Sequence, residues 1–467
     1  MKEKKRRFEQ FILYDYTGIE IHLNKMAEKG WKLQKISPFY WEYGKIEPQN
    51  LTYAVTYFSE ASEFNPYPTQ NQRTFHNYCK NAGWNLVTEW AQMQIFITDQ
   101  KDTIPIETEE SVKLSAIHRA MKKNFIPSNI ILLLLAVAQI IFSLHMIMNN
   151  PISNLTNNTT VCNIAMFIIL FIQTLTNLFC YAVWYSRSKK AIGIGEPCTS
   201  INHGYRYISL FTTLLILIIV SLSMFSLSAK LFGWVSLWIF LNIGVLIPLV
   251  NKIKKTLKRA QASKRVNLSI TIFSCVLLSI IFTIIMTMGL IKGLNAGWIA
   301  NKPDATYTTT NSYGYTHTWD IYHDELPLTI EDLQNVNYDH YSYKWTEDKS
   351  LLLSLSVGDQ SSFPDDQNPP NINYEIVQVK IPILFDLCLK DYLDKYNYDF
   401  PMPEEERRQF KEIDAPLWQA DAVYQLFNHE REDDEYIICW SNRILYINFP
   451  TIPTADQISI AVEKLGK

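Results

Sequence analysis

Carboxylates are nearly missing from the centre of this chain. Residues 127–291 hold one, Glu196, against 12 lysines and arginines, whereas residues 292–467 hold 30 against 14 and residues 1–126 hold 15 against 17. The formal charge therefore runs +2, +11 and −16 along three segments and totals −3 over 467 residues. So uneven a distribution excludes a single soluble enzyme domain, a disordered chain and a nucleic-acid binder with a dominant basic surface. Catalytic signatures are missing too. No phosphate-cradling Gly-rich loop ending in Gly-Lys-Ser/Thr, no His-Glu-x-x-His pair and no Gly-x-Ser-x-Gly elbow occurs, so ATPase, zinc-protease and hydrolase readings lack support. The cysteines, Cys79, Cys162, Cys180, Cys198, Cys275, Cys388 and Cys439, form no Cys-x-x-Cys pair, which argues against a zinc ribbon or a thioredoxin-like site. No enzyme activity, cofactor or metal is expected.

Long apolar runs are present instead. A helix needs about 20 mostly apolar residues to cross a bilayer, because every backbone polar group must be satisfied without water. Five stretches qualify, at 127–149, 161–185, 208–226, 231–250 and 268–291, and none has an Asp, Glu, Lys or Arg in its interior. One mid-helix charge costs roughly 3 kcal/mol on insertion, so five clean runs in succession read as five membrane spans. Among their polar residues, Gln139 and His145 stand on the first, and Gln173 and Asn177 share a face of the second. That spacing suits hydrogen bonds between helices better than a transport path, which would call for an intramembrane carboxylate.

Cations set the orientation, since short loops rich in Lys and Arg stay cytoplasmic. Lys113, Arg119, Lys122 and Lys123 precede the first span, Arg187, Lys189, Lys190 and Arg206 fall between the second and third, and Lys252, Lys254, Lys255, Lys258, Arg259, Lys264 and Arg265 fall between the fourth and fifth. The other two loops hold Lys230 alone. A multi-pass cell-membrane protein is expected, N-terminus cytoplasmic and C-terminus extracytoplasmic, with no cleaved signal peptide. Membrane lipids are expected partners of the basic loops, and nucleic acid is not.

Residues 1–126 read as a cytoplasmic α+β module with an internal repeat. Thr17-Gly-Ile-Glu20 has the form of a capping box, followed by Ile19, Leu23, Met26 and Ala27 on one helix face. Gly30 ends that helix and Trp31 begins a strand. A second helix presents Phe75, Tyr78, Cys79 and Ala82, stops at Gly83 and is followed by Trp84. Strand alternation runs through Phe39, Trp41 and Tyr43, through Leu51 to Tyr57, and through Trp84–Trp90 and Met93–Ile97. Each half thus reads strand, helix, Gly-Trp, strand, strand. Glycine takes the left-handed helix stop without a Cβ penalty, and the tryptophan after it is expected to plug the helix against the sheet.

These residues carry a family resemblance. The helix ending Glu28-Lys-Gly-Trp31, the Tyr-rich strand, the second Gly-Trp at 83–84 and the spans that follow resemble membrane proteins carrying the domain of unknown function 2812. The likeness is specific over about the first 100 residues. It implies a bacterial protein, often encoded beside PadR-type regulators, in a regulatory or stress-response setting, and carries over no catalytic residue.

Residues 292–467 read as an acidic extracytoplasmic α+β domain. Leu351–Val357, Tyr374–Ile381, Glu435–Trp440 and Arg443–Phe449 are expected strands, the last two joined across Ser441-Asn442. Helices are expected at 384–396 and at the C-terminus, where Thr454 and Gln457 form a capping box. The charge keeps the domain soluble and makes a cationic ligand a candidate partner. Asp359, Asp365 and Asp366, or the run Glu430–Glu435, lack calcium-loop spacing, and His317, Asp320, His323 and Asp324 match no single face for metal binding. Cys388 and Cys439 are expected to form a disulfide, the alternative being two buried thiols. The whole reads as a multi-domain α+β membrane protein. The function it suggests is a non-enzymatic sensor or regulator linking the outer domain to a cytoplasmic module that engages a protein partner. A transporter or its accessory subunit is the alternative.

Overall fold

The computed structural model describes residues 4–9, 11–37, 40–66, 68–100, 102–201, 203–224, 230–296, 303–310, 316–336, 338, 340–363, 369–396 and 408–466, without the side chains of 203–206, 209, 220, 222–224, 230–243, 294–295 and 310. Two units emerge, residues 1–139 with 166–220 and 236–288, and residues 140–165 with 221–235 and 289–467. The boundaries between them fall mostly inside the apolar helices.

In the first unit the repeat is real down to its irregularities. The first half is β1 (Lys4–Arg7), α1 (Tyr16–Glu28), β2 (Trp31–Ile36) and β3 (Trp41–Lys45); the second is β4 (Thr52–Tyr57), α2 (Gln70–Asn81), β5 (Asn85–Trp90) and β6 (Met93–Thr98). Each half forms a three-stranded antiparallel sheet in the same order, β1-β3-β2 and β4-β6-β5. Gly30 and Gly83 end their helices at φ +78° and +91°. Each second strand then bulges at the equivalent place, between Leu33 and Lys35 in one half and between Leu86 and Thr88 in the other. Gly83, Leu86 and Thr88 each lie 53 positions after their counterparts, so the register survives from helix stop to bulge.

Three local expectations change. Helix α1 starts at Tyr16 and is capped by Asp15, whose carboxylate accepts from the Gly18 amide at 3.0 Å. Thr17 and Glu20 therefore make no capping box, because Thr17 already lies inside the helix as its second residue. Tyr78 is exposed rather than facing the sheet. Trp84 is buried and donates to the Ile104 carbonyl at 2.8 Å, whereas Trp31 is only half-buried under Lys5, 5.2 Å from its ring. The plug is therefore a property of the second half. The leading strand of the first half is the basic run Lys4–Arg7, fully exposed at a sheet edge and held by Glu42, which takes Lys4 at 3.2 Å and Arg6 at 3.0 Å. Charged edge strands resist pairing with other chains.

Helices follow: α3 (Glu110–Lys123), α4 (Phe125–Asn149), α5 (Pro151–Thr156), α6 (Asn158–Gly193), α7 (His203–Met224), α8 (Lys230–Arg259) and α9 (Lys264–Asn295). Among the described residues three helices are long and apolar enough to cross a membrane, at 110–149, 158–193 and 264–293. The remaining two expected spans fall on α7 and α8, part of which lies outside the described residues. Asn177 donates to Asn129 at 3.0 Å and Gln173 to Thr213 at 3.4 Å, so the polar pair of the second span bonds between helices.

The core of the first unit is not closed by residues 1–98. Leu114, Ile117, Ala120 and Met121 of α3, and Tyr181 and Trp184 of α6, join Ile19, Leu23, Tyr43, Val55 and Ile95 in one buried cluster. Tyr14 is fully buried there, with its ring 5.0 Å from those of both Tyr181 and Trp184 and 5.5 Å from Phe125.

The second unit is built on a seven-stranded antiparallel sheet. Its strands in chain order are β9 (Tyr341–Lys349), β10 (Leu353–Ser362), β11 (Ile372–Val379), β12 (Arg408–Glu412), β13 (Ala422–Asn428), β14 (Arg431–Trp440) and β15 (Arg443–Asn448), arranged β12-β13-β14-β15-β11-β10-β9. A separate hairpin, β7 (Ala305–Thr310) with β8 (Thr316–Ile321), precedes them. Alternate residues of the central strands enter two cores. Ile376, Ile438, Leu445 and Ile447 face one with Trp418, the short helix α10 (Ile330–Leu333) and α12 (Ala455–Leu465). Val377, Ile437, Cys439, Ile444 and Tyr446 face the other with α11 (Phe385–Leu393) and with Ile152 and Leu155 of α5. The Thr454–Gln457 capping box forms.

Gly30→Ala should destabilise the first unit by about 1–3 kcal/mol, since the left-handed φ is strained for alanine and its Cβ would lie 2.9 Å from the Ile46 carbonyl oxygen. Gly195→Ala, at φ +83° with nothing within 4 Å of the added Cβ, should cost about 1 kcal/mol. Thermal unfolding of the two variants checks the ranking.

Candidate functional site

The topology cations prove to be more than loop markers. Arg187, Lys189 and Lys190 at the end of α6, and Lys252, Lys264 and Arg265 around the turn after α8, are exposed. Lys254, Lys255, Lys258 and Arg259 occupy successive turns at the end of α8, where the helix dipole favours cations. Lys254 forms an ion pair with Glu63 and Lys258 with Glu89, the latter at 3.4 Å. Glu89 also accepts from Gln72 at 2.6 Å. Asn267, fully buried, donates to the Phe64 carbonyl at 3.2 Å. The repeat module is therefore tied to these helices by three contacts, at Glu63, Phe64 and Glu89.

Between them lies a cavity of about 530 Å³, within the range of small-ligand sites. One wall is the end of α8 and the other is built from both halves of the repeat, with Lys35, Ile36 and Ser37 opposite Thr88, Glu89 and Trp90. Lys35 and Thr88 each follow the unpaired bulge residue of their strands, Gln34 and Val87, and a bulge re-aims the side chains that follow it. Five cations line the cavity, Lys35, Lys254, Lys255, Lys258 and Arg259, against two carboxylates, Glu63 and Glu89. The arrangement suits holding an anion. His76 of the lining is engaged by Gln94 at 2.6 Å.

Two further polar groups are buried. On β4 of the module, Val55 donates to Glu20 at 2.8 Å and Thr56 donates to Glu107. Burial raises Glu20 from 4.5 to about 7, opposed by the Val55 amide and Lys113. In the second unit the buried Glu435 accepts from Tyr446 at 2.5 Å and from Tyr396 at 2.6 Å. Arg408 bonds Asp433 at 2.6 Å and holds it low against its burial, while burial and the bond to Asp433 lift Asp434 to about 6.

The remaining expected sites are scattered. His323 meets Asp304, Asp324 accepts from the Trp345 amide at 2.9 Å, and His317 and Asp320 stand exposed on β8. Asp359 lies on β10 beside Ser361, and Asp365 and Asp366 lie outside the described residues. Among the described residues no group of three or more His, Cys, Asp or Glu could hold a metal. Cys388 and Cys439 do not form the expected disulfide. Both are buried free thiols in one apolar cluster, where each packs as a small hydrophobe and burial pushes it up to about 12. Sequence reasoning missed Lys35, Glu63, Gln72 and Glu89, because only pairing across the repeat and against α8 brings them together.

An α+β module built from two like halves and bonded to apolar helices of membrane-crossing length defines the class: a membrane protein of mixed α+β fold. Residues 15–128 match the family described as protein of unknown function (DUF2812), so this stretch carries that domain, from the cap of α1 to the first turn of α4. No curated protein and no solved structure matches the chain.

Two outcomes follow. With maleimide under non-reducing conditions, Cys388 and Cys439 should stay unlabelled in the native protein and both react once it is denatured. Glu20 has a folded pKa above its unfolded one, so its stabilising protonation is complete below pH 4.5 and lost as pH rises through 7. Glu20→Gln should flatten that dependence and gain at most about 3 kcal/mol above pH 7, read from unfolding curves of wild type and variant at both ends of the range.

Proposed function

We propose that this protein is a non-enzymatic sensor or regulator of the cell membrane, in which the acidic C-terminal domain receives an extracytoplasmic signal and the DUF2812 module presents it to a cytoplasmic protein. The alternation of cationic loops along the sequence supports a reading with five spans, the module inside and residues 292–467 outside. The single observation that carries this reading is that the core of each folded unit is completed by residues of the apolar helices or their connections. Tyr181 and Trp184 of α6 enter the module core. Ile152 and Leu155 of α5 enter the core of the acidic domain, where Ser350 donates to the Leu155 carbonyl and Asn158 to that of Lys349 at 2.7 Å. A helix that shifts must drag a packed core with it, because close-packed interiors switch between arrangements rather than deform.

The coupling is tested by Trp184→Ala, which removes a large aromatic from the shared core at a cost of about 3–5 kcal/mol. Hydrogen exchange across α1 and β4 of the full chain in membranes should accelerate, and capture of the cytoplasmic partner seen with wild type should fall. Unchanged exchange, absence of any specific partner, or cytosolic activity of a reporter fused after Lys467 would each overturn the reading.

A further inference from the structure

The cavity beside α8 has a charge surplus that the protein does not neutralise. Four cations crowd two turns of one helix, and like charges at that spacing repel. Glu63 and Glu89 answer Lys254 and Lys258. Lys255 and Arg259, and Lys35 on the facing strand, have no carboxylate within ion-pair distance among the described residues, and all three line the same space. A surplus of three positive charges facing a concave volume is an electrostatic well for a multiply charged anion. Arginine and lysine together supply a planar fork and point charges, the donor set that phosphate oxygens take.

The repeat adds shape to charge. The two equivalent bulges bring Lys35 and Thr88 to the same cavity from opposite halves, and Trp90 follows Thr88 by two positions. A hydroxyl and an indole therefore line the same space as the cations, and neither is needed to neutralise charge. We propose that this cavity is a binding site for a phosphate group, held by Lys255, Arg259 and Lys35, with Glu63 and Glu89 holding the neighbouring lysines in place. Phosphate of this kind comes from two sources, the headgroup of an anionic phospholipid or a soluble phosphate compound. The site is tested apart from the coupling proposed above, since Lys255, Arg259 and Lys35 lie outside the Tyr14 cluster, although Ile36 of the cavity lining belongs to it.

The test uses the full chain in nanodiscs, with two arms. In the first, pyrophosphate is titrated calorimetrically into protein held in neutral phosphatidylcholine. In the second, discs contain mixed phosphatidylcholine and phosphatidylglycerol, and lipid retained by the extracted protein is counted by native mass spectrometry. Wild type should respond in at least one arm, the first naming a soluble ligand and the second a headgroup. Lys255→Glu with Arg259→Glu should weaken that response roughly tenfold or more, as loss of two charge-assisted contacts requires, with the unfolding temperature unmoved because both residues are exposed. Lys264→Glu with Arg265→Glu, equal in charge but outside the cavity, should change it far less. No response of wild type in either arm, or equal losses in the two double variants, would overturn the site. If charge reversal unfolds the protein, Lys35→Gln on the opposite wall replaces it and must weaken binding.

Discussion

Tyr14 is buried completely, and the rings that bury it come from places the sequence keeps far apart: Phe125 where α4 begins, and Tyr181 and Trp184 in the second half of α6. Removing those aromatics from water is a large favourable contribution, and it is available only if the module and the helix ends assemble together. The polar groups around the cluster agree with it. Trp184 donates to the Thr199 carbonyl at 2.9 Å, Tyr181 lies 2.7 Å from His118, and the Cys198 amide reaches Glu110 at 3.0 Å. The module is thus continuous with the helices rather than hung from them. The acidic domain repeats this solution with different chemistry, using two aliphatic side chains of α5 and the hydroxyl of Ser350.

The internal repeat has a second consequence. Its halves share strand order, helix stop and bulge, yet they differ in which surfaces they cover. Trp84 is sealed by Cys79 and Phe96 in a small core of its own, whereas Trp31 remains half-buried at the first sheet. Both halves share the core that α3 and α6 complete, while Glu63 and Glu89 of the second also meet α8. Equivalent positions have become unlike, Lys35 against Thr88 and Ser37 against Trp90, and the cavity lies where the two unlike sets converge.

Much of the architecture was legible because it rests on local periodicity. Gly30 and Gly83 announce their left-handed stops, β14 and β15 announce a hairpin by alternation around Ser441-Asn442, and Thr454 with Gln457 announces the cap of α12. Elements set by partners were not. Lys4–Arg7, four cations in a row, has no strand alternation and is drawn into the sheet opposite β3, where Glu42 meets it. Strand β12 carries a polar sequence, Arg408–Glu412, whose extended form is imposed by its neighbour in the sheet. Glu20 looked like a capping residue and instead turns toward the Val55 amide, an interaction across 35 residues.

The sequence by itself determined the segregation of charge, the apolar helices, the repeat and its helix stops, since each follows from residue type and spacing along a few turns of chain. The tertiary structure alone decided which aromatics close the module core, that Cys388 and Cys439 pack as separate thiols, and that cations of α8 face the repeat across a cavity. Those outcomes depend on surfaces meeting over separations of up to 200 residues, and burial and charge pairing across such distances leave no local pattern to read.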